Sequence, residues 1–327
     1  MHLDKDKPEV IFDYLQEIGF LAPEETIRSA EKAGEGNMNY TLRIHTSSRS
    51  FILKQARPYV EKYPSIPAPV ERAQKESSFF QVAGQWPDVG DRLPRLLNFD
   101  PQNHLQIIED LGEGADFSLY YQREKHFPEA ELRTLLHFLK ALHVQSRNHQ
   151  PKEDFSNRAM RELNHLHIFD FPFQSDNGLN LDEIQPGLQS LASRTVHQHP
   201  GLQKKALALG QRYLADGDTL LHGDFFPGSW LQTNHGLFII DPEFCFRGEA
   251  AFDLGVCLAH LRFCGMHWQP ILSLFVSHYG AFDQMACQEF AAIEILRRLY
   301  GVAQLPLDLN LQEKAALTWE AINFLSN

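Results

Sequence analysis

Residues 220–254, LLHGDFFPGSWLQTNHGLFIIDPEFCFRGEAAFDL, constrain this chain more than any other stretch. Two short apolar runs, 230–232 and 237–240, flank Thr233-Asn234-His235-Gly236, a good hairpin turn, and polar side chains crowd both of its ends. Asp224 precedes the hairpin and Asp241 follows it, so pairing the strands returns two carboxylates 17 positions apart to one edge. Asp241 and Glu243 stand two apart at a strand end, where extended backbone would aim both side chains to one face. Transfer of a phosphoryl group needs a carboxylate to orient the attacking hydroxyl and oxygen ligands that hold magnesium against the phosphates. A loop, a hairpin and a second acidic loop supply both.

Composition narrows the partners. The chain has 327 residues, 43% of them apolar, which is globular and long enough for about two domains. Against 30 basic residues stand 42 acidic ones, and the formal charge of −12 repels phosphate backbones and anionic lipid. Neither nucleic acid nor a membrane is an expected partner. No apolar run is long enough to span a bilayer, and the charged residues within 1–10 exclude the apolar core of a signal peptide, so a cytoplasmic protein is expected. Cys245, Cys257, Cys264 and Cys287 have neither zinc-knuckle nor disulfide-framework spacing and read as reduced, buried thiols.

Changes in hydrophobic period divide the chain near residue 112. Apolar positions at helical spacing over 10–18, stopped by Gly19, predict a short helix. Runs 40–44 and 51–54, joined by the polar segment 45–50, predict a strand hairpin. A helix over 70–82 and a strand over 105–108 complete the first part, and a glycine-bearing link at 112–114 follows. Beyond it the pattern turns helical, most clearly over 129–144. Lys54 closes an apolar strand, where a lone charge must find a partner; a phosphate together with a helical glutamate would serve. Spacing alone does not separate Glu71 from Glu76 as that glutamate.

The H-G-D of 222–224, the hairpin after it and I-D-P-E-F at 240–244 resemble the aminoglycoside phosphotransferase and choline kinase superfamily. The usual pattern places Asn five residues after the catalytic Asp, whereas Ser229 stands there, and this is similar to one branch, the methylthioribose kinases. Other segments resemble that branch: 34–39 its nucleotide loop, 53–60 its strand-borne lysine segment, 164–173 more weakly, and Arg297-Arg298 its substrate-binding twin arginines. The chains of that branch run longer, and the shortening falls between Asp253 and Arg297, a region that helps to shape the acceptor pocket.

The resemblance implies an α+β, two-lobed, protein-kinase-like fold, with a small mixed nucleotide-binding lobe over 1–111 containing an antiparallel sheet. A larger, mainly helical catalytic and substrate-binding lobe covers 112–327. It implies ATP and Mg2+ as cofactors and a small-molecule hydroxyl as acceptor, most concretely the anomeric hydroxyl of methylthioribose or a related 5-substituted pentose. Asp224 is the expected catalytic residue and contacts the acceptor hydroxyl. Asp241, Glu243 and Ser229 are the candidate metal ligands, with Ser229 equally suited to capping the local turn. Gly34, Gly36 and Asn37 are expected to bring backbone N–H groups and an amide to the phosphates, Lys54 with Glu76 to bind them, and Glu109, Asp110 and Leu111 to offer backbone groups to the adenine edge. His222 and Asp253 are read as supports of the catalytic loop. Adjacent helical residues point about 100° apart, so Arg297 or Arg298 can face the acceptor while the other pairs elsewhere.

Three alternatives stay open at this stage. One is a kinase of another small alcohol, such as an aminoglycoside, choline or homoserine. Another is a catalytically silent nucleotide-binding module, and a third is a hydrolase built on His222 and Asp224, which lacks the histidine cluster expected for zinc. Dimerisation occurs among the resembled kinases, and a homodimer is open here.

Overall fold

The computed structural model describes residues 1–34, 38–149 and 152–326. The chain starts with α1 (Pro8–Glu17), whose first position suits a proline because no N–H is needed there, and Gly19 closes it in left-handed backbone at φ +67°. Strands β1 (Ile27–Lys32), β2 (Tyr40–Thr46) and β3 (Ser50–Gln55) follow, then a small ribbon of β4 (Tyr59–Val60) and β5 (Tyr63–Pro67). After α2 (Arg72–Ala83) come β6 (Leu96–Asp100) and β7 (Leu105–Glu109), and five strands form an antiparallel sheet in the order β1-β2-β3-β7-β6.

The hairpin of β2 and β3 pairs Leu42 with Leu53 and Ile44 with Phe51, and alternate residues of β2 are buried. Its turn is shorter than the 45–50 expected from polarity. His45 and Thr46 remain in the strand because the Thr46 hydroxyl accepts from the Ser48 and Arg49 amides, while Glu25 gathers Thr46, Ser48 and Arg49. Side chains thus do there what a longer loop would otherwise do. Lys54 lies on the sheet face toward α2, opposite Gln106 of β7, whose amide donates to the carbonyl of Ala73.

Past the sheet, β8 (Gly114–Asp116) leaves the linker and pairs with the hairpin of β10 (Trp230–Thr233) and β11 (Gly236–Ile239). That hairpin turns on Asn234-His235 alone, with Thr233 and Gly236 paired, two residues tighter than the expected four. Strand β9 (Thr219–Leu221) pairs with β12 (Phe246–Gly248). The rest is helical: α3 (Glu129–His149), α4 (Arg158–His165), α5 (Leu188–Ala192), α6 (Leu202–Leu214), α7 (Ala251–Phe263), α8 (Trp268–His278), α9 (Gln284–Tyr300) and α10 (Leu311–Ser326). Helices α7 and α9 cross closely at Gly255, where a Cβ would lie 2.6 Å from that of Phe290 and 2.8 Å from the Cys287 carbonyl oxygen. This crossing brings His260 of α7 beside Glu294 of α9.

Two apolar cores result. The smaller lies between α1 and one face of the sheet, with Ile11, Leu15, Leu42, Leu53 and Ile107. The larger runs through the helical part and also takes Phe79, Phe80, Trp86, Val89 and Leu93. All four cysteines are free and buried. Among the described residues no helix is long and apolar enough to cross a membrane.

Candidate active site

The catalytic loop follows β9. Gly223 sits at φ +86°, and a side chain there would run into the Phe244 carbonyl, so this turn needs glycine for two reasons. Asp253, in the first turn of α7, accepts from the amides of His222 at 2.8 Å and Gly223 at 2.9 Å. His143 Nε2 lies 3.2 Å from the same carboxylate and its Nδ1 2.9 Å from the Tyr279 hydroxyl, which assigns the Nε2 proton to the aspartate contact. His222 directs Nε2 to the Ile240 carbonyl at 3.0 Å, and burial lowers its pKa, keeping the ring neutral near pH 7. It is a brace between the catalytic and acidic loops. The Ser229 hydroxyl donates to the Asp224 carbonyl at 3.0 Å and ties the loop at its other end.

Asp224 retains 18% of its side-chain surface, and Arg298 Nη2 lies 3.4 Å from its Oδ1. Burial pushes its pKa above the usual carboxylate value, while Arg298 and Arg297 pull it back.

The acidic loop differs from the extended geometry expected for it. Asp241 is left-handed, at φ 60° and ψ 48°, and Pro242–Phe244 forms a tight helical turn, so the two carboxylates diverge. Asp241 keeps 48% of its side chain exposed, with Oδ1 2.6 Å from Lys54 Nζ. Glu243 is buried. Its Oε2 meets Arg72 Nε at 3.1 Å and Asn39 Nδ2 at 2.9 Å. Among the described residues no three His, Cys, Asp or Glu side chains converge as a metal cage. The half-exposed Asp241 carboxylate suits a divalent ion, whereas Glu243 is committed to Arg72 and the Ser229 hydroxyl to a carbonyl.

Lys54 Nζ also lies 2.6 Å from Glu76 Oε1 on α2, and Glu71 is exposed. Burial opposes the charge on Lys54, but Asp241, Glu76 and Glu243 together raise its pKa above the ordinary value. One ammonium therefore joins the sheet, α2 and the acidic loop. Gly34 adopts φ +81°, with open space where a Cβ would be, and Gly36 and Asn37 lie outside the described residues. At the lobe junction the Glu109 amide donates to the Arg95 carbonyl at 2.9 Å, and its side chain pairs with Arg95. Asp110 accepts from Arg43 and from the Gly112 amide, while the Arg43 guanidinium also reaches the Gly112 carbonyl. Leu111 follows directly in this clamped linker.

Arg297 and Arg298 divide at Asp224, which only Arg298 reaches, and share Glu294. Both fold back onto Glu294: Arg297 Nη1 donates to Oε2 at 2.9 Å and Arg298 Nε to Oε1 at 2.6 Å. Arg298 alone reaches Asp224, with its guanidinium 4.9 Å from the Phe226 ring. Segment 164–173 packs against α9 behind them. Glu294 and Arg72 escaped the reading of the sequence, and Asn39 enters it only as the end of segment 34–39, not as a partner of Glu243. A signal existed for the first, since Glu294 stands three and four positions before the arginines, where helical side chains meet.

The two-lobed arrangement is a kinase-like fold: the crystal structure of the choline kinase LicA from Streptococcus pneumoniae matches with a TM-score of 0.52 and 15% identity, covering 98% of this chain and 99% of that one. Residues 29–290 match the phosphotransferase enzyme family, and the chain belongs to it. Among curated proteins it is similar to the methylthioribose kinase of Bacillus cereus, 26% identical over 260 residues, which is 76% of this chain and 63% of the relative. It is also similar to that of Exiguobacterium sibiricum, 28% identical over 250 residues, 72% and 61% of the two chains. The matched part thus spans less than two thirds of either relative's length.

Proposed function

We propose that this chain is an ATP- and magnesium-dependent kinase of a small-molecule hydroxyl, most concretely the anomeric hydroxyl of methylthioribose or a related 5-substituted pentose. The observation that carries this reading is a pair of ion pairs, Arg298 on Asp224 and Lys54 on Asp241, held on two loops that the His222 to Ile240 hydrogen bond ties together. The nucleotide belongs to the lobe 1–111, and catalysis and acceptor binding to 112–327. Lys54 binds the phosphates, with Gly34, Gly36 and Asn37 the residues the sequence offers to them, and the base lies along the backbone at Glu109, Asp110 and Leu111.

In this mechanism Asp224 accepts a hydrogen bond from the acceptor hydroxyl through Oδ2, its Oδ1 being held by Arg298, and aims the hydroxyl oxygen at the terminal phosphorus. The hydroxyl proton passes to that carboxylate as the new bond to phosphorus forms and the bond from phosphorus to the bridging oxygen breaks, ADP leaving with that electron pair. Lys54, fixed by Glu76, draws charge toward the leaving phosphates. Asp241 would hold magnesium, with Glu243 adding negative charge behind it, and the ion would supply neutralisation of the phosphate oxygens. Ser229 keeps the Asp224 backbone in place. Arg297 and Arg298 bind the other hydroxyls of the acceptor through their planar donor forks.

The test is release of ADP with magnesium and ATP against methylthioribose, ribose, choline, homoserine and an aminoglycoside. Methylthioribose should be turned over, and Asp224→Asn should lower that turnover by about 10²-fold or more while nucleotide still binds. Undiminished turnover in the variant, or nucleotide binding with no acceptor consumed, overturns the reading.

A further inference from the structure

Behind the twin arginines the structure contains a relay of buried polar groups. Glu294 is almost fully buried, and one carboxylate serves three donors: Arg297 Nη1, Arg298 Nε and His260 Nε2, the last at 3.1 Å. His260 Nδ1 lies 2.6 Å from the buried hydroxyl of Tyr121, which follows β8 in the chain. A carboxylate can only accept, so His260 Nε2 carries the proton, Nδ1 is the acceptor, and Tyr121 donates. Every polar atom along Tyr121, His260 and Glu294 is then satisfied in one arrangement only. Burial alone would raise the Glu294 pKa, yet Arg297, Arg298 and His260 hold it well below the ordinary range. Burial lowers His260 to about 4, so it stays neutral, and Tyr121 stays protonated.

The second observation concerns what is left over. With Nε and Nη1 of the two arginines engaged by Glu294, Arg298 still directs Nη2 to Asp224, and Arg297 has a buried Nε with no hydrogen-bond partner among the described residues. The charges of Arg297 and Arg298 are matched by Glu294 and Asp224, so without Glu294 the pair would collapse toward Asp224.

We propose that Glu294 is a positioning residue for acceptor binding: it holds Arg297 and Arg298 in fixed rotamers beside Asp224, and Tyr121 through His260 fixes Glu294 in turn. The relay holds no ligand itself and acts through the arginines. Its kinetic consequence rests on the kinase reading above; its structural consequence does not.

Two measurements on the full chain separate these. In protein labelled with ¹⁵N-arginine, the Nε–H of Arg298, assigned by its loss in Arg298→Lys, should be shifted downfield and slow to exchange; Glu294→Gln should abolish both properties. With whichever acceptor the wild type phosphorylates, Glu294→Gln should raise the acceptor KM about tenfold or more, as expected for losing charge-assisted bonds. The KM for ATP should stay within about twofold. Tyr121→Phe, which removes only the distant hydroxyl, should move the acceptor KM in the same direction by less. An unchanged Arg298 signal in Glu294→Gln overturns the proposal, as does a parallel rise of both KM values. If the wild type turns over no acceptor, the kinase reading fails and the arginine signal alone decides on the relay.

Discussion

Replacing Lys54 by Met would remove the one ammonium that stands between Glu76 and Asp241, 2.6 Å from each. Glu76 is 1% exposed, and its carboxyl is already pushed from 4.5 to about 7 by burial and by Glu243 and Asp241, with Lys54 opposing them. Without the ammonium only the raising influences remain. Breaking a buried ion pair from one side costs about 3–5 kcal/mol. With an unfolding entropy of roughly 2.1 cal/mol/K per residue, 327 residues give roughly 0.7 kcal/mol/K, so Tm should fall by about 4–7 °C. The sign of the pH dependence follows from linkage. A carboxyl whose folded pKa lies above its unfolded value holds its proton better when folded, so the cost is absent at low pH and grows as pH rises toward the folded pKa. In the wild type that growth ends near pH 7; in Lys54→Met it continues above it. Urea denaturation should therefore show a small deficit at pH 6 and the full one at pH 8.5, and adding Glu76→Gln should recover about half of it. A deficit that is flat across this range, or a double variant no more stable than Lys54→Met, would refute the reasoning.

Asp253→Asn keeps the shape but turns one acceptor oxygen into a donor facing the His222 amide, the Gly223 amide or His143. It should cost about 2–3 kcal/mol in denaturation and speed hydrogen exchange at those two amides more than at α9. Gly223→Ala should lose activity out of proportion to its global stability, because positive φ and the Phe244 carbonyl both oppose the new methyl; thermal unfolding alongside turnover checks this.

Local signals in the sequence carried far. The strand pair ending at Lys54, the helix bearing Glu76 and the hairpin between Asp224 and Asp241 all stand where alternation and turn chemistry put them, with boundaries shifted by a few residues. Asp253 supports the catalytic loop as expected. What stayed hidden depends on contacts between distant positions. The divergence of Asp241 from Glu243 follows from one left-handed residue before Pro242, a conformation not marked by residue type. Glu243 turns inward because Arg72 and Asn39 meet it there, 171 and 204 positions away. Tyr121 and His260 are joined only by the way α7 packs, and nothing in either local sequence announces the other.

The boundary of the folded units also has a practical meaning. Helix α2 is encoded within the first 111 residues, yet Phe79, Phe80, Trp86, Val89 and Leu93 are buried in the larger core with residues from the remainder of the chain. Cleavage at the linker would leave those aromatic and aliphatic surfaces bare on one fragment and their sockets open on the other. The products would be sticky halves that need each other to fold, since the covalent seam and the seam of the packing lie in different places.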